Sequence, residues 1–378
     1  MKNKIFRALK NIVCTVLFLS ILLSCLCGFS YFFRYEEDEK STLLVNGFYA
    51  LEEESIDVLF IGGSGYYRSL SPPLLYEKTG LRSYDLCSPA YLFDATLTLI
   101  KEAEKTQQPS LYVVDIRRFY KELKKDISGE NMVGKNLKKQ KSRMSYIVNN
   151  MPLSLNRAQL IHKFYGEKLG VNEIEWQFDY LRTHNNWKEH SFSDFKEYMK
   201  KMLNANKPEK APYNGVICGP WHTELEDIDV GSYKETLNLD YEALGVLNEL
   251  MEYAKKGNIE ILFMIPPYAV SEENYAYEKF IGDYIKASGF RFLNINEKIK
   301  EVGIDYKTDF YDENHLNALG CLKLTPYIAD YITENYDIKK KEMTDAQKDE
   351  WEKMFAEWSA LSEKYVRKIM KDCEKDNG

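Results

Sequence analysis

A serine, a histidine and an aspartate stand where nucleophilic chemistry would need them. Ser64 lies in Ile61-Gly62-Gly63-Ser64-Gly65, directly after an apolar run. Glycines there permit a sharp turn and the close approach of a substrate, and the serine amide can face an anion. A hydroxyl is a poor nucleophile until a base removes its proton, and a neutral imidazole suits that task near pH 7. The base candidate is His315, in Tyr311-Asp312-Glu313-Asn314-His315-Leu316-Asn317. Asp312 precedes it by three residues, so a carboxylate can hold the ring in one tautomer and stabilise the imidazolium. His162, His184, His190 and His222 fall in the middle of the chain, with no strand tip beside them. Taken alone, 62–65 also reads as a plain turn. It lacks the Gly-Lys-Ser/Thr of a Walker A loop and the Gly-x-Gly-x-x-Gly of a dinucleotide site. A phosphate-binding turn there would leave His315 without a role.

These residues need a scaffold, and the apolar pattern supplies one. Short buried-strand runs occur at 56–61, 82–86, 111–116, 259–265 and 290–295. Helical spacing falls between them, at 69–80, 95–105, 241–256 and 274–287, with a last helix at 317–334 after a loop at 305–315. Strands alternating with helices imply a doubly wound parallel sheet of about five strands, flavodoxin-like in class. Ligands bind such sheets outside the carboxyl ends of the strands, where Ser64 sits. The stretch 121–240 breaks the rhythm. It is rich in Lys, Asn, Trp and Tyr, carries helical fragments at 154–166, 172–183 and 192–204, and reads as a helical insertion, a lid or substrate-selecting cap. A C-terminal helix follows at 336–378: Thr344-x-x-Gln347 is a capping box, and Trp351, Met354, Phe355, Trp358, Leu361, Tyr365 and Ile369 recur at helical spacing. It reads as packing on the domain, with a partner-binding or membrane-surface helix as the alternative.

The N-terminus reads as an anchor. Lys2, Lys4, Arg7 and Lys10 precede an uncharged run from 12 to 33, and Glu36, Glu37, Asp38 and Glu39 follow it. The run suffices for a membrane-spanning helix, and the flanking charges put the N-terminus in the cytoplasm and the rest outside. A cleaved signal peptide would have a shorter apolar core. Leu22-Leu23-Ser24-Cys25 resembles a lipobox, but no polar tether follows it. The organisation expected is therefore a stub and anchor at 1–34, a stalk at 35–55, an α/β domain at 56–335 and the tail at 336–378. With 51 basic against 58 acidic residues the chain lacks the basic excess of a nucleic-acid binder. Its seven cysteines form no CxxC pair, which argues against a zinc site. Cys87, Cys218, Cys321 and Cys373 read as small apolar or free residues. No metal or cofactor is expected.

The two blocks together resemble the SGNH/GDSL hydrolase superfamily. Phe60-Ile61-Gly62-Gly63-Ser64 is similar to its first block and Asp312-x-x-His315 to its last. Asp57 to Ser64, followed by Tyr67-Arg68-Ser69-Leu70-Ser71-Pro72, resembles a membrane-anchored bacterial branch that includes alginate-acetylation and D-alanyl-lipoteichoic-acid accessory proteins. The resemblance covers 56–120 and 241–335. It implies a triad of Ser64, His315 and Asp312, and a serine esterase or O-acyltransferase acting on an acyl ester of a cell-envelope glycan or related polymer, with a membrane-bound O-acyltransferase as partner. It also implies an oxyanion hole. The second block normally offers a glycine, where this chain has Cys87, whose amide could still donate beside that of Ser64. The third block normally presents Gly-x-Asn-Asp, whereas here the strand ends Val114-Asp115-Ile116-Arg117-Arg118. Arg117 is the candidate donor in place of the asparagine, a solvated or salt-bridged arginine being the alternative. Losing one such donor costs on the order of 10²–10³ in rate. A non-catalytic SGNH-like surface protein, binding a glycan or scaffolding an envelope-modifying complex, is the rival from another class.

Overall fold

The computed structural model describes residues 2–32, 42–124, 137–183, 191–193, 196, 208–232 and 237–376. The acidic cluster at 36–39 and nearly all of the expected 192–204 helix lie outside them. The chain forms two compact units, one of residues 1–37 with 151–207, the other of 38–150 with 208–378.

In the first unit, helix α1 (Lys2–Phe32) contains the stretch Lys4–Ser30, long and apolar enough to cross a membrane. Its apolar side chains are exposed, as on Leu17, Phe18 and Ile21. The Phe29 ring lies 5.9 Å from that of Tyr180. Ser154 caps the helix Leu155–Ile161 through the Arg157 amide, and a π-helical turn extends it to Lys168. Buried Arg157 lies 3.5 Å from buried Asp179. Trp176 sits between the Tyr165 ring at 3.9 Å and the Arg182 guanidinium at 3.8 Å.

The second unit carries a five-stranded parallel sheet. Its strands are β1 (Val58–Gly62), β2 (Ser83–Cys87), β3 (Leu111–Asp115), β4 (Ile261–Ile265) and β5 (Arg291–Asn294), in the order β2-β1-β3-β4-β5. The first four are buried along their whole length, as strands covered on both faces in parallel sheets are, and β2 buries Ser83 and Asp85 among its apolar residues. Val58, Phe60, Leu111, Val113, Leu262 and Met264 share an apolar cluster with Leu324, Ile328 and Ile332 of the last α/β helix. The intervening strand residues point to the opposite face.

The helices start and stop where the capping residues lie. A short turn, α2 (Ser64–Tyr67), begins at the nucleophile candidate. Helix α3 (Pro72–Thr79) is capped by Ser71 and ended by Gly80 at φ 71°. Helices α4 (Thr96–Thr106), α5 (Leu244–Gly257) and α6 (Glu272–Ala287) link the strands. Asn258, in the left-handed region, ends α5, and Ser271 caps α6. Helix α7 (Ala318–Asn335) is capped by Asn317, which accepts from the Leu319 and Gly320 amides. In α8 (Asp345–Asp376) the Thr344–Gln347 capping box is reciprocal, at 3.2 and 2.9 Å. Trp351, Trp358 and Ile369 are buried, and the Trp351 ring lies 4.9 Å from Tyr76 of α3. The C-terminal helix therefore packs on the α/β unit.

Two stretches differ from the expectation. The loop expected at 305–315 contains a hairpin of β6 (Phe310–Asp312) and β7 (His315–Leu316), paired antiparallel with Asp312 opposite His315. The runs are too short to show a period of two in the sequence. The second stretch, 208–232, joins the sheet unit, and the ends of the expected insertion meet. Lys124 forms an antiparallel bridge with Leu239, and the Asp240 amide donates to the Leu123 carbonyl at 2.7 Å.

Asp57 locks the start of the sheet. It accepts from the Arg82 amide at 2.8 Å, from Arg82 Nε at 3.3 Å and from the Lys341 amide at 2.9 Å, tying β1 and β2 to the segment before α8. Asp57 and Arg82 are both essentially inaccessible. Breaking a buried pair by removing one partner leaves an uncompensated charge. Asp57→Ala should lower unfolding stability by about 3–5 kcal/mol in urea titrations, and a change under 1 kcal/mol, roughly the value of an exposed pair, would show the pair to be dispensable.

Candidate active site

The β1 tip and the β6–β7 hairpin bring the three candidates together. Ser64 Oγ lies 2.6 Å from His315 Nε2. His315 Nδ1 lies 2.7 and 2.9 Å from the two Asp312 carboxylate oxygens. The hairpin explains the local half: cross-strand neighbours face each other, so Asp312 meets His315 across the turn. The Asp312 carboxylate also accepts the Asn314 amide at 2.8 Å, which fixes the turn itself.

Asp115, at the tip of β3, braces the nucleophile turn. Its Oδ2 accepts the Gly63 amide at 3.3 Å and its Oδ1 accepts the Arg117 amide at 2.9 Å. This approach is why Gly62 must lack a side chain: a Cβ there would stand 2.5 Å from Asp115 Cβ. Gly65 is constrained in the same way, with Pro266 Cγ at 2.7 Å and Arg117 Nη2 at 3.0 Å from the position of its Cβ.

Arg117 is buried, 2% exposed, and belongs to the site. Its Nη1 donates to the Asn314 carbonyl at 2.7 Å, inside the base-bearing turn, and its Nε has no partner. Its guanidinium lies 5.3 Å from the Tyr268 ring centre. The Tyr268 hydroxyl donates to buried Glu278, which also accepts from Asn294 at 3.2 Å. Burial pushes the Glu278 carboxyl up to about 8, against hydrogen bonds from Tyr268 and Asn294 and the charge of Arg117. Asp115, Tyr268 and Glu278 escaped the sequence reading. Asp115 alone left a signal, a carboxylate at the end of an apolar strand.

Cys87 is placed differently from the triad. It is buried in β2 opposite Gly62. The next amide, of Ser88, donates to the Gly62 carbonyl at 3.1 Å. In a parallel ladder alternate residues turn their backbone groups to opposite sides, so the Cys87 amide faces away from β1. The Ser64 amide opens a helical turn and has no intrahelical acceptor, and Arg117 Nη2 stands 3.0 Å from where a Cβ of the next residue, Gly65, would lie.

A strap at 216–225 spans both halves of the site. The Ile217 amide donates to the Tyr67 carbonyl, after the nucleophile, at 2.6 Å. Thr223 donates through its amide to the Phe310 carbonyl and through its hydroxyl to that of Tyr311, both at 2.8 Å. The Ala318 amide returns to the Gly219 carbonyl at 3.1 Å. Arg68 lies over the Tyr311 ring at 4.4 Å, and Trp221 meets that ring edge-on.

Next to Gly63 and Asp115 lies a pocket lined by Tyr91, Leu92, Phe93 and Phe119 and by Arg118, Lys121 and Arg143. Burial and mutual repulsion lower the pKa of Arg118 and bring that of Lys121 down to about 8; burial lowers Arg143. Among the described residues no cluster of His, Cys, Asp and Glu is arranged to hold a metal ion. No protein-family model and no curated protein matches the chain.

Burial depresses His315 to about 4, with the Arg117 and Arg68 charges adding and Asp312 opposing. The ring is therefore neutral, and able to accept a proton, down to about pH 4. An unfolded chain protonates its histidines near 6.5, so this residue's contribution to stability is present above 6.5 and lost as pH falls towards 4. NMR titration of the ring should give a midpoint near 4, and Arg117→Met should move it upward. An unmoved midpoint at 6.5 in both proteins would refute this account of the electrostatics.

Proposed function

We propose that the chain is a serine-dependent acyl-transferring enzyme of the SGNH type, an esterase or O-acyltransferase. The observation that carries the reading is the continuous path Ser64 Oγ, His315 Nε2, His315 Nδ1, Asp312 at 2.6 and 2.7 Å. The strand order 2-1-3-4-5 supports a doubly wound sheet, and Ser64 then lies at the carboxyl ends where such sheets take ligands.

In the first half-reaction His315 Nε2 takes the Ser64 proton as Oγ attacks the carbonyl carbon of an acyl ester. Asp312 holds Nδ1–H towards itself and stabilises the imidazolium. The Ser64 amide and Arg117 face the developing oxyanion. His315 then protonates the departing alkoxide, leaving acyl-Ser64. In the second half-reaction the base takes a proton from water or a sugar hydroxyl, which attacks the acyl group and regenerates Ser64. Arg117 stands in for the asparagine of the family's third block, as a cationic donor in place of a neutral one.

The substrate proposed is an acyl ester of a cell-envelope glycan or related polymer. The apolar helix at Lys4–Ser30 supports anchoring. The basic residues before it support a cytoplasmic N-terminus with the sheet unit outside. Arg118, Lys121 and Arg143 line the pocket beside Asp115 and Glu122, a positive balance that suits a polymer carrying anionic groups. A membrane-bound O-acyltransferase as acyl source rests on the family resemblance alone.

The chain should react with a fluorophosphonate probe in detergent. Ser64→Ala should abolish labelling. His315→Ala and Asp312→Ala should slow it by roughly 10³-fold or more, as for a hydroxyl deprived of its base. Absence of labelling, or labelling that survives Ser64→Ala, would sink the catalytic reading and leave a glycan-binding or scaffolding surface protein. Lys121→Gln with Arg143→Gln should leave labelling unchanged and weaken turnover of an anionic acylated polymer relative to a neutral ester. Equal loss on both substrates would remove the anionic-polymer assignment.

A further inference from the structure

Two cysteines separated by about a hundred residues meet behind the strap. Cys218 lies on the strap and is partly accessible, whereas Cys321, on the second turn of α7, is fully buried. The hydrogen bond from the Ala318 amide to the Gly219 carbonyl fixes their proximity. Gly219 follows Cys218, and Ala318 and Cys321 are three apart on one helix face. Val216 and Trp358 complete the apolar cluster around the pair. Cys218 packs against Cys321 and Trp358 in that cluster, and the Cys321 sulfur lies 3.8 Å from the Thr325 hydroxyl. The Arg68 guanidinium adds a positive charge near Cys218. Cys321, Trp358 and Arg68 favour the Cys218 thiolate and lower its pKa, while the neighbouring Cys218 and then burial raise that of Cys321. Cys218 thus has the surroundings of an attacking thiol: electropositive, partly accessible and backed by a second sulfur. Cys87, by contrast, is buried in the sheet and has no second thiol among its interacting groups.

We propose that Cys218 and Cys321 are a dithiol–disulfide pair, closed by an external disulfide into a bond that staples the strap to α7. The Cys218 thiolate attacks one sulfur of the external disulfide and releases one thiolate, which takes up a proton. Cys321 then loses its proton, and its sulfur attacks that of Cys218. The mixed disulfide breaks and the second external thiolate leaves, taking up that proton. Two protein thiols are oxidised and one external disulfide is reduced to two thiols. The bond would fix a strap that already holds the Tyr67 carbonyl on one side and the Phe310 and Tyr311 carbonyls on the other. The proposal stands whether or not Ser64 is a nucleophile.

The test uses the full chain in detergent, incubated with oxidised glutathione or with dithiothreitol, acid-quenched, denatured and alkylated with a maleimide before peptide mass spectrometry. Oxidation should yield a Cys218–Cys321 cross-linked peptide two hydrogens lighter than the two free peptides together. Cys87 should remain alkylated in both samples. C321A should accumulate Cys218 as its glutathione adduct, and C218A should leave Cys321 fully alkylated after oxidation. The cross-link in the unaltered protein is decisive even if a variant fails to fold. Full alkylation of both thiols after oxidation, or a glutathione adduct on Cys218 that never closes onto Cys321, overturns the proposal.

Discussion

A hydrogen bond between groups 251 residues apart in sequence, from Ser64 to His315, is the contact that the surrounding structure serves. Bringing such distant segments to 2.6 Å has a loop-closure cost, and side chains alone cannot hold them there against their own freedom. The backbone does most of the holding. Asp115 ties the Gly63 amide to the β3 tip, Arg117 ties the β3 tip to the Asn314 carbonyl, and the strap ties Tyr67 to Phe310. Each of these bonds joins the nucleophile side to the base side, or either side to the sheet. Close backbone approach is a precondition, and Gly62 and Gly65 meet it by offering no Cβ to Asp115 and Arg117.

The same residues set the charge state. Asp312 would raise the affinity of His315 for a proton, while burial and the charges of Arg117 and Arg68 lower it, and the lowering influences prevail. The imidazole rests neutral, as a base must. Under the proposed acyl transfer it becomes imidazolium only while an oxyanion forms nearby, and a negative oxyanion offsets the guanidinium charges that disfavour that cation. On that proposal the site is arranged for the charge distribution of the tetrahedral intermediate, the pattern expected of electrostatic preorganisation. Tyr268 and Glu278 back the Arg117 guanidinium from the far side, which limits its freedom to follow the charge.

The meeting of Ser64, His315 and Asp312 was legible because its signals are local: a serine at the end of an apolar strand and an aspartate three residues before a histidine. The five strands were legible from short runs, apolar in most of them though not at 82–86, with ends shifted by a residue or two, and the Thr344–Gln347 capping box from its spacing. What escaped is tertiary. Nothing in Arg117 announces that its guanidinium will bridge to the Asn314 carbonyl, and nothing around Glu278 on an amphipathic helix announces a buried carboxyl behind Tyr268. The hairpin of β6 and β7 is too short to show a strand period. The strap hid inside a polar stretch because its contacts are main-chain hydrogen bonds, which any sequence can make. Cys87 illustrates the opposite case: its place where the resembled family has a glycine suggested a donor amide, but the ladder register turns that amide away from β1.

On the proposed function, having Arg117 where the resembled family has an asparagine has a consequence for how the site must behave. A neutral amide donor would serve the oxyanion alone. A guanidinium whose Nη1 already donates to the Asn314 carbonyl serves two positions at once, because Asn314 lies between Asp312 and His315. Under the proposed acyl transfer, oxyanion stabilisation and base placement are then coupled through one rigid, planar group with five donors. Lysine could supply the charge at that point but not the fixed angle between its donors. The coupling also accounts for the depth at which Arg117 is buried: a solvated arginine would hold neither position, whereas one backed by Tyr268 and braced by Asp115 holds both.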